Sequence, residues 1–293
     1  MPSISLLTDV VCVEARGADA GAFLHAQLSQ SVAADPARAP LAGWLDARGR
    51  ARALVRVWAL PDRWLLATPR DGALDLVKRL RMFVLRAAVA LHLADDVELA
   101  ALLDVTPEWL SAHGLRAGVA PGTVSEREGL RWLCVGAGYW QALGAREAIE
   151  TLAPELPRVP ATAAALAEIR LGLPTITPSL VDRYVAQMLN FDLLGAVAFD
   201  KGCYPGQEIV ARVHHLGDVK RRARRYAAAA DPPTVGSPVL AGGDGVGEVL
   251  RSAPAPGGCE LLAVIDHTAT DAPLTCGGAP LHELPLPFAV PRA

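Results

Sequence analysis

Along most of its length the chain alternates short apolar runs with polar breaks, and the spacing of those runs predicts the elements. Residues 10–14 form an extended apolar run. Gly17-Ala18-Asp19 turns that run into a helix with Asp19 as N-cap, and Phe23, Leu24, Leu28 and Val32 recur at helical spacing. Residues 53–60 and 63–68 flank Pro61-Asp62 and predict a β-hairpin. A helical period returns over 72–86 through Leu76, Leu80, Phe83 and Val84, followed by strands at 87–93 and 97–105. Residues 107–150 read as a short helix, a hairpin (130–135 with 139–143) and a helix from Arg146. Prolines between 154 and 160 break the chain, and 161–171 is helical. A further helix is predicted over 183–194, where Val185, Leu189 and Leu193 share a face. This succession implies an antiparallel α+β unit rather than a parallel sheet. After Gly217 the runs 225–230, 239–241, 246–252 and 260–265 alternate with Pro and Gly turns, the texture of a small β-barrel or sandwich. A domain boundary falls near 217–226, and no repeat of 20–50 residues is present.

Composition narrows the picture. At about 150 residues per domain, 293 residues suggest two domains or three small ones. The chain is 52% hydrophobic and 20% charged, enough to bury a core. A net charge of -3 excludes a generally basic nucleic-acid coat, and no direct nucleic-acid binding is expected. The uncharged apolar stretch 132–145 is 14 residues long and holds Gln141 and three glycines, short of the roughly 18 a membrane helix needs. Because MPSISLLTD has no basic n-region, no signal peptide is expected, which points to the cytoplasm and no membrane partner. The cysteines, Cys12, Cys134, Cys203, Cys259 and Cys276, form no CxxC, so no metal motif is encoded locally and most should be small buried hydrophobes.

The densest chemical signal is 199–225, FDKGCYPGQEIVARVHHLGDVKRRARR. Residues 201–225 hold seven cations against two anions, a local excess of +5 that leaves -8 to the rest. Such an island is an anion-site candidate or a solvated loop entering the barrel. Gly202 and Gly206 flank Cys203-Tyr204-Pro205, giving a sharply turned loop that presents a thiol. Lys201, with Arg212, His214 and His215, would favour a thiolate; the alternative is a structural cysteine in a tight turn. Gln187 and Asn190 place two amides one turn apart, suited either to reading a heterocycle or to buried hydrogen bonds. Asp46, in LDARGR, either faces a ligand or starts a turn. The glycines of 242–248 lack a βαβ context; Asp244-Gly245 reads as a hairpin turn. HExxH, GxSxG and GxxxxGK[ST] are absent, so those hydrolase and NTPase classes have no support.

The stretches IRLGLPTI, QMLNFDLLGAVAF and above all KGCYPGQEIVAR, followed by Lys220-Arg221-Arg222, resemble the YgfZ family, folate-binding relatives of the glycine-cleavage T-protein (aminomethyltransferase). Residues 17–24, Gln27-Leu28-Ser29 and LDARGR at 45–50 resemble it too. The resemblance implies an α+β fold: two interleaved ferredoxin-like, T-protein-like α+β domains plus a C-terminal antiparallel β-barrel, in a ring. It implies a discontinuous folate-binding domain (1–35 and 107–216), an inserted α+β domain (36–106) and the barrel (217–293). It further implies a tetrahydrofolate-dependent accessory role in assembly or repair of iron–sulfur enzymes, including tRNA-modifying ones, with those enzymes as clients. Carried over by position, Cys203 is the functional thiol. Asp46, Gln187, Asn190, Lys201, Tyr204, Gln207, Glu208, Arg221 and Arg222 contact folate, the basic run facing its glutamate tail. Val10 and Ala164 stand where some members have pocket tryptophans, and Arg170 where the T-protein has a Glu. Two other activities are open to this sequence: a one-carbon transferase of the aminomethyl type, and a thiol enzyme with His214 or His215 as base. LDARGR and KGCYPGQE, far apart in sequence, are expected to line one cavity.

Overall fold

The structure is a computed structural model and describes residues 1–152 and 154–291. The chain forms two compact units. Residues 1–25, 32–41 and 55–164 make the first; residues 26–31, 42–54 and those from Ala165 on make the second. The fold is α+β, with two antiparallel sheets and a closed six-stranded barrel.

One five-stranded sheet lies wholly in the first unit. Its order is β1 (Ser3–Leu6), β7 (Glu98–Leu103), β10 (Tyr139–Gly144), β9 (Leu130–Gly136), β8 (Val124–Arg127). Alternate residues, among them Ile4, Leu102, Trp132, Cys134 and Trp140, bury one face together with Leu110 of α3 (Pro107–Ala112) and Ile149 of α4 (Arg146–Leu152). That period of two is the sheet signature the apolar runs carried. A second sheet orders β3 (Leu41–Leu45), β4 (Ala51–Ala59), β5 (Trp64–Pro69), β2 (Val10–Arg16), β6 (Ala90–Leu93). In it β4 and β5 form the hairpin expected around Pro61-Asp62. The helices α1 (Ala20–Gln27), α2 (Arg70–Arg81) and α5 (Ala161–Arg170) also fall where periodicity put them. The predicted helix over 72–86 stops at Arg81, and Phe83 and Val84 continue as single turns that bond three residues back.

Glu14 on β2 is buried yet charged. Arg16 and Arg63 both donate to its carboxylate, His92 Nε2 lies 2.9 Å away, and Arg63 also holds Asp96 at 2.6 Å. Burial pushes the Glu14 carboxyl up, but the bonds from Arg16 and Arg63 outweigh it and hold the group below the usual carboxylate range. The folded-state value therefore lies below the unfolded one. Its stabilisation is complete above the unfolded value of about 4.3 and is lost as pH falls through the folded value. Urea unfolding at stepped pH should show stability falling between about pH 5 and pH 3, with a Glu14→Gln variant less stable at pH 7 and flatter across that window. Parallel profiles for the two proteins would refute the assignment.

The barrel belongs to the second unit. Its strand order is β11 (Arg221–Ala228), β14 (Gly258–Asp266), β13 (Asp244–Ala255), β12 (Pro238–Ala241), β15 (Leu274–Cys276), β16 (Ala279–Leu284). Tyr226, Val239, Val249, Leu261, Ala263 and Ile265 fill it. The β12–β13 turn is Gly242-Gly243, both at positive φ, rather than the expected Asp244-Gly245; glycine supplies the mirror-image turn that strand twist favours. The predicted helix over 183–194 is not formed. Only Ala186–Leu189 is helical, as a 3-10 turn, because Asn190 adopts the left-handed conformation and its side chain donates to the Ala223 carbonyl. Conversely, α6 (Gln207–Leu216) forms where no helix was expected.

Candidate functional site

The cysteine loop is fixed by its ends. At the C-terminal end Gly206 caps α6 with φ of +81°. A β-carbon on Gly206 would lie 2.4 Å from the Asp46 carbonyl oxygen and 2.7 Å from Gly49 Cα. The loop thus rests backbone to backbone on the 46–50 turn. Asp46 builds that turn: its Oδ1 accepts from Arg48 N at 2.9 Å and Arg50 N at 2.8 Å. The Gly49 carbonyl accepts from Ala186 N at 3.1 Å, and Ala51 N donates to the Tyr184 carbonyl at 2.8 Å. LDARGR, the 3-10 turn and KGCYPGQE therefore converge within the second unit, the first and the last packed backbone to backbone.

At the N-terminal end, Lys201 Nζ donates to the carbonyls of Leu28 (2.6 Å) and Gln30 (3.1 Å) and lies 5.2 Å from the Tyr204 ring centroid. Burial pulls the Lys201 ammonium down to about 8 and pushes the buried Tyr204 phenol up to about 12. Gln207 N donates to the Tyr204 carbonyl at 3.2 Å and closes the turn into α6. Between these anchors Gly202 and Cys203 stand in solvent. The sequence suggested that Lys201 would act on the thiol; the structure turns its ammonium to the 28–30 carbonyls, and what distinguishes Cys203 is exposure.

The other four cysteines are buried. Burial pushes the Cys12 thiol up to about 12 and also raises Cys134, Cys259 and Cys276. With iodoacetamide at pH 7.5, peptide mass spectrometry should show Cys203 alkylated at least about a hundredfold faster than any of the four, since they react only on opening of the fold. Labelling of Cys203 no faster than Cys134 would make it a structural thiol.

The amide pair serves the scaffold. Gln187 Nε2 donates to the Val210 carbonyl on α6 at 2.7 Å, while its Oε1 is buried without a hydrogen-bond partner. Asn190 donates to the Ala223 carbonyl at 2.8 Å and accepts from Arg222 at 3.2 Å. Arg222 is buried: it binds the Gln187 carbonyl and makes a two-pronged pair with Asp192 at 3.0 and 2.9 Å. This corrects its expected place on a basic rim. The run 221–225 is barrel strand β11, and each of its arginines is paired. Arg221 meets Asp266 at 3.6 Å, buried Arg224 meets Glu283 at 2.8 Å, and Arg225 shares Glu260 with Arg170. Lys220 and Arg221 remain exposed. Glu208, also exposed, pairs with Arg212 one turn on at 3.3 Å, an arrangement of small energetic weight. His214 stacks on Phe199 with ring centroids 3.8 Å apart, and His215 meets His214 edge-on.

Sequence reasoning missed Asp192, which neutralises Arg222, and Glu248, which binds Arg183 and Tyr184. A single carboxylate 30 or 65 residues from its partner leaves no local signature.

Comparison with protein-family models found no match. Among curated proteins, the chain is similar to the tRNA-modifying protein YgfZ of Aliivibrio fischeri strain MJ11, 25% identical over 226 residues, which are 75% of this chain and 69% of that protein. It is also similar to the mitochondrial iron–sulfur cluster assembly factor IBA57 homolog of Mycosarcoma maydis, 28% identical over 248 residues, 79% of this chain and 55% of that protein. Among solved structures, the glycine cleavage system aminomethyltransferase T from Bartonella henselae matches with a TM-score of 0.77 over 98% of this chain and 86% of that one. The two share 14% of residues, so this likeness speaks for the fold alone.

Proposed function

We propose, from its similarity to YgfZ and IBA57 proteins, that the chain is a folate-binding accessory protein that supports assembly or repair of iron–sulfur enzymes, tRNA-modifying ones among them, through the Cys203 thiol. The observation that carries this reading is the exposed thiol on a loop clamped at Lys201 and Gly206. A thiolate is both a nucleophile and a soft ligand for iron. One thiol cannot hold a cluster, and among the described residues no three His, Cys, Asp or Glu side chains gather as a metal site. Cys203 therefore acts as a single donor toward a cluster whose other ligands the client supplies.

The acceptors beside the loop suit a pterin. Gln187 Oε1 lacks a hydrogen-bond partner, and half-buried Asp46 carries a carboxylate; a pterin edge offers amino and ring N–H donors. Exposed Lys220 and Arg221 suit the anionic glutamate tail, whereas Asn190 and Arg222 are committed to the scaffold. Folate, when bound, supplies a planar one-carbon carrier. The chain's own part is to orient it through these acceptors and to hold Cys203 in place. An aminomethyl-type transferase would need a carboxylate where Arg170 stands, and Arg170 is paired with Glu260 at 2.8 Å, which disfavours that reading.

Titration of tetrahydrofolate, followed by tryptophan fluorescence, tests the folate half of the proposal. Saturable binding is expected, weakened about tenfold by Asp46→Asn, which keeps the turn-forming oxygen but removes the charge from one hydrogen bond. Absence of binding, or equal affinity for the variant, would remove folate or Asp46 from the proposal.

A further inference from the structure

Among the described residues eight large hydrophobic side chains are exposed, and four of them fall within twelve residues of the first unit: Leu74 (69% exposed), Met82 (64%), Phe83 (42%) and Leu85 (87%). Helix α2 explains the first. It buries Ala73, Leu76, Val77 and Leu80, so Leu74 points away from the core with Lys78 one turn on. The turns after Arg81 carry Met82, Phe83 and Leu85, which are exposed as well. Single exposed apolar residues are ordinary, but a cluster of four in one segment marks a surface that something covers.

The charge around the stripe says what kind of partner. Residues 70–86 hold five cations and two anions, an excess of +3 on a chain of net -3. One anion, Asp75, is held by Arg79 at 2.6 Å. Lys78 and Arg86 are exposed on the segment against Asp71, while the Arg81 guanidinium donates to the Leu91 carbonyl. An apolar stripe edged by cations complements a segment with apolar anchors and acidic flanks. We infer that the α2 stripe, from Leu74 to Arg86, is the docking surface for an acidic amphipathic segment of a client protein. This rests on the accessory role above, which requires the chain to seat other proteins.

The test places the photocrosslinking residue benzoylphenylalanine at Leu85, and at exposed Leu216 as control, in the full chain expressed in cells. Crosslinked peptides are identified by mass spectrometry. The expected result is crosslinks from position 85 to acidic segments of iron–sulfur proteins, reduced about tenfold by Lys78→Glu/Arg86→Glu and by Leu74→Glu. The variants should keep the thermal unfolding midpoint and the Cys203 alkylation rate of the parent. Crosslinks at 85 no more frequent than at 216, or tracking protein abundance without regard to charge, would overturn the inference. So would binding to vesicles of phosphatidylglycerol and phosphatidylcholine that Leu74→Glu abolishes, since the stripe would then meet a membrane. Failure of the accessory role is read separately, as failure of the unmodified chain to restore client activity.

Discussion

Gly206→Ala should destabilise the protein by about 2–5 kcal/mol in equilibrium urea unfolding. Two costs combine. The position sits at φ of +81°, where an L side chain is strained by roughly 1–2 kcal/mol. The new methyl would also overlap the Asp46 carbonyl at 2.4 Å and Gly49 Cα at 2.7 Å, and neither is a side chain that can swing aside. Relief requires the 46–50 turn and the start of α6 to part, which moves the Cys203 loop. Gly202→Ala, in the same loop, is the internal control. It has an ordinary φ and nothing within 4 Å of the added carbon, so its effect should stay within about 0.5 kcal/mol. Equal midpoints for the two variants would show that the loop does not rest on the turn.

The sequence made the local elements readable because their signals are local. The β4–β5 hairpin announced itself through two apolar runs and Pro61-Asp62, and the barrel through short runs between Gly and Pro turns. Loop and turn were paired only through the family resemblance that KGCYPGQE and LDARGR both carry. What stayed hidden depends on partners distant in sequence. The charge run at 220–225 looked like a solvated or ligand-facing patch, yet Arg222 and Arg224 are buried because Asp192 and Glu283 neutralise them. The helix expected over 183–194 fitted a helical period but met Asn190, whose left-handed backbone and bond to Ala223 only tertiary structure reveals. Helix α6 was obscured by the glycines and proline just before it, which punctuate the chain without forbidding a helix start; Gly206 at the N-cap is what allows it.

Cys203 was singled out by its neighbours, and the structure exposes it. Lys201 serves as an anchor for the loop by binding the Leu28 and Gln30 carbonyls. Lys201 thus fixes one end of the loop that carries the exposed thiol.

The most direct measurement of the central claim compares the chain with its Cys203→Ala variant in a bacterial strain lacking its own family member, reading the methylthiolated nucleosides of bulk tRNA by mass spectrometry. Cys203 is exposed, so the substitution should change the unfolding free energy by no more than about 0.5 kcal/mol. The parent chain should restore the modified nucleosides and the variant should restore less than about a tenth of them, as expected when a group that acts directly in the chemistry is removed. Full restoration by a stably folded Cys203→Ala protein would contradict the account, because the loop would then serve by its shape and not by its thiol.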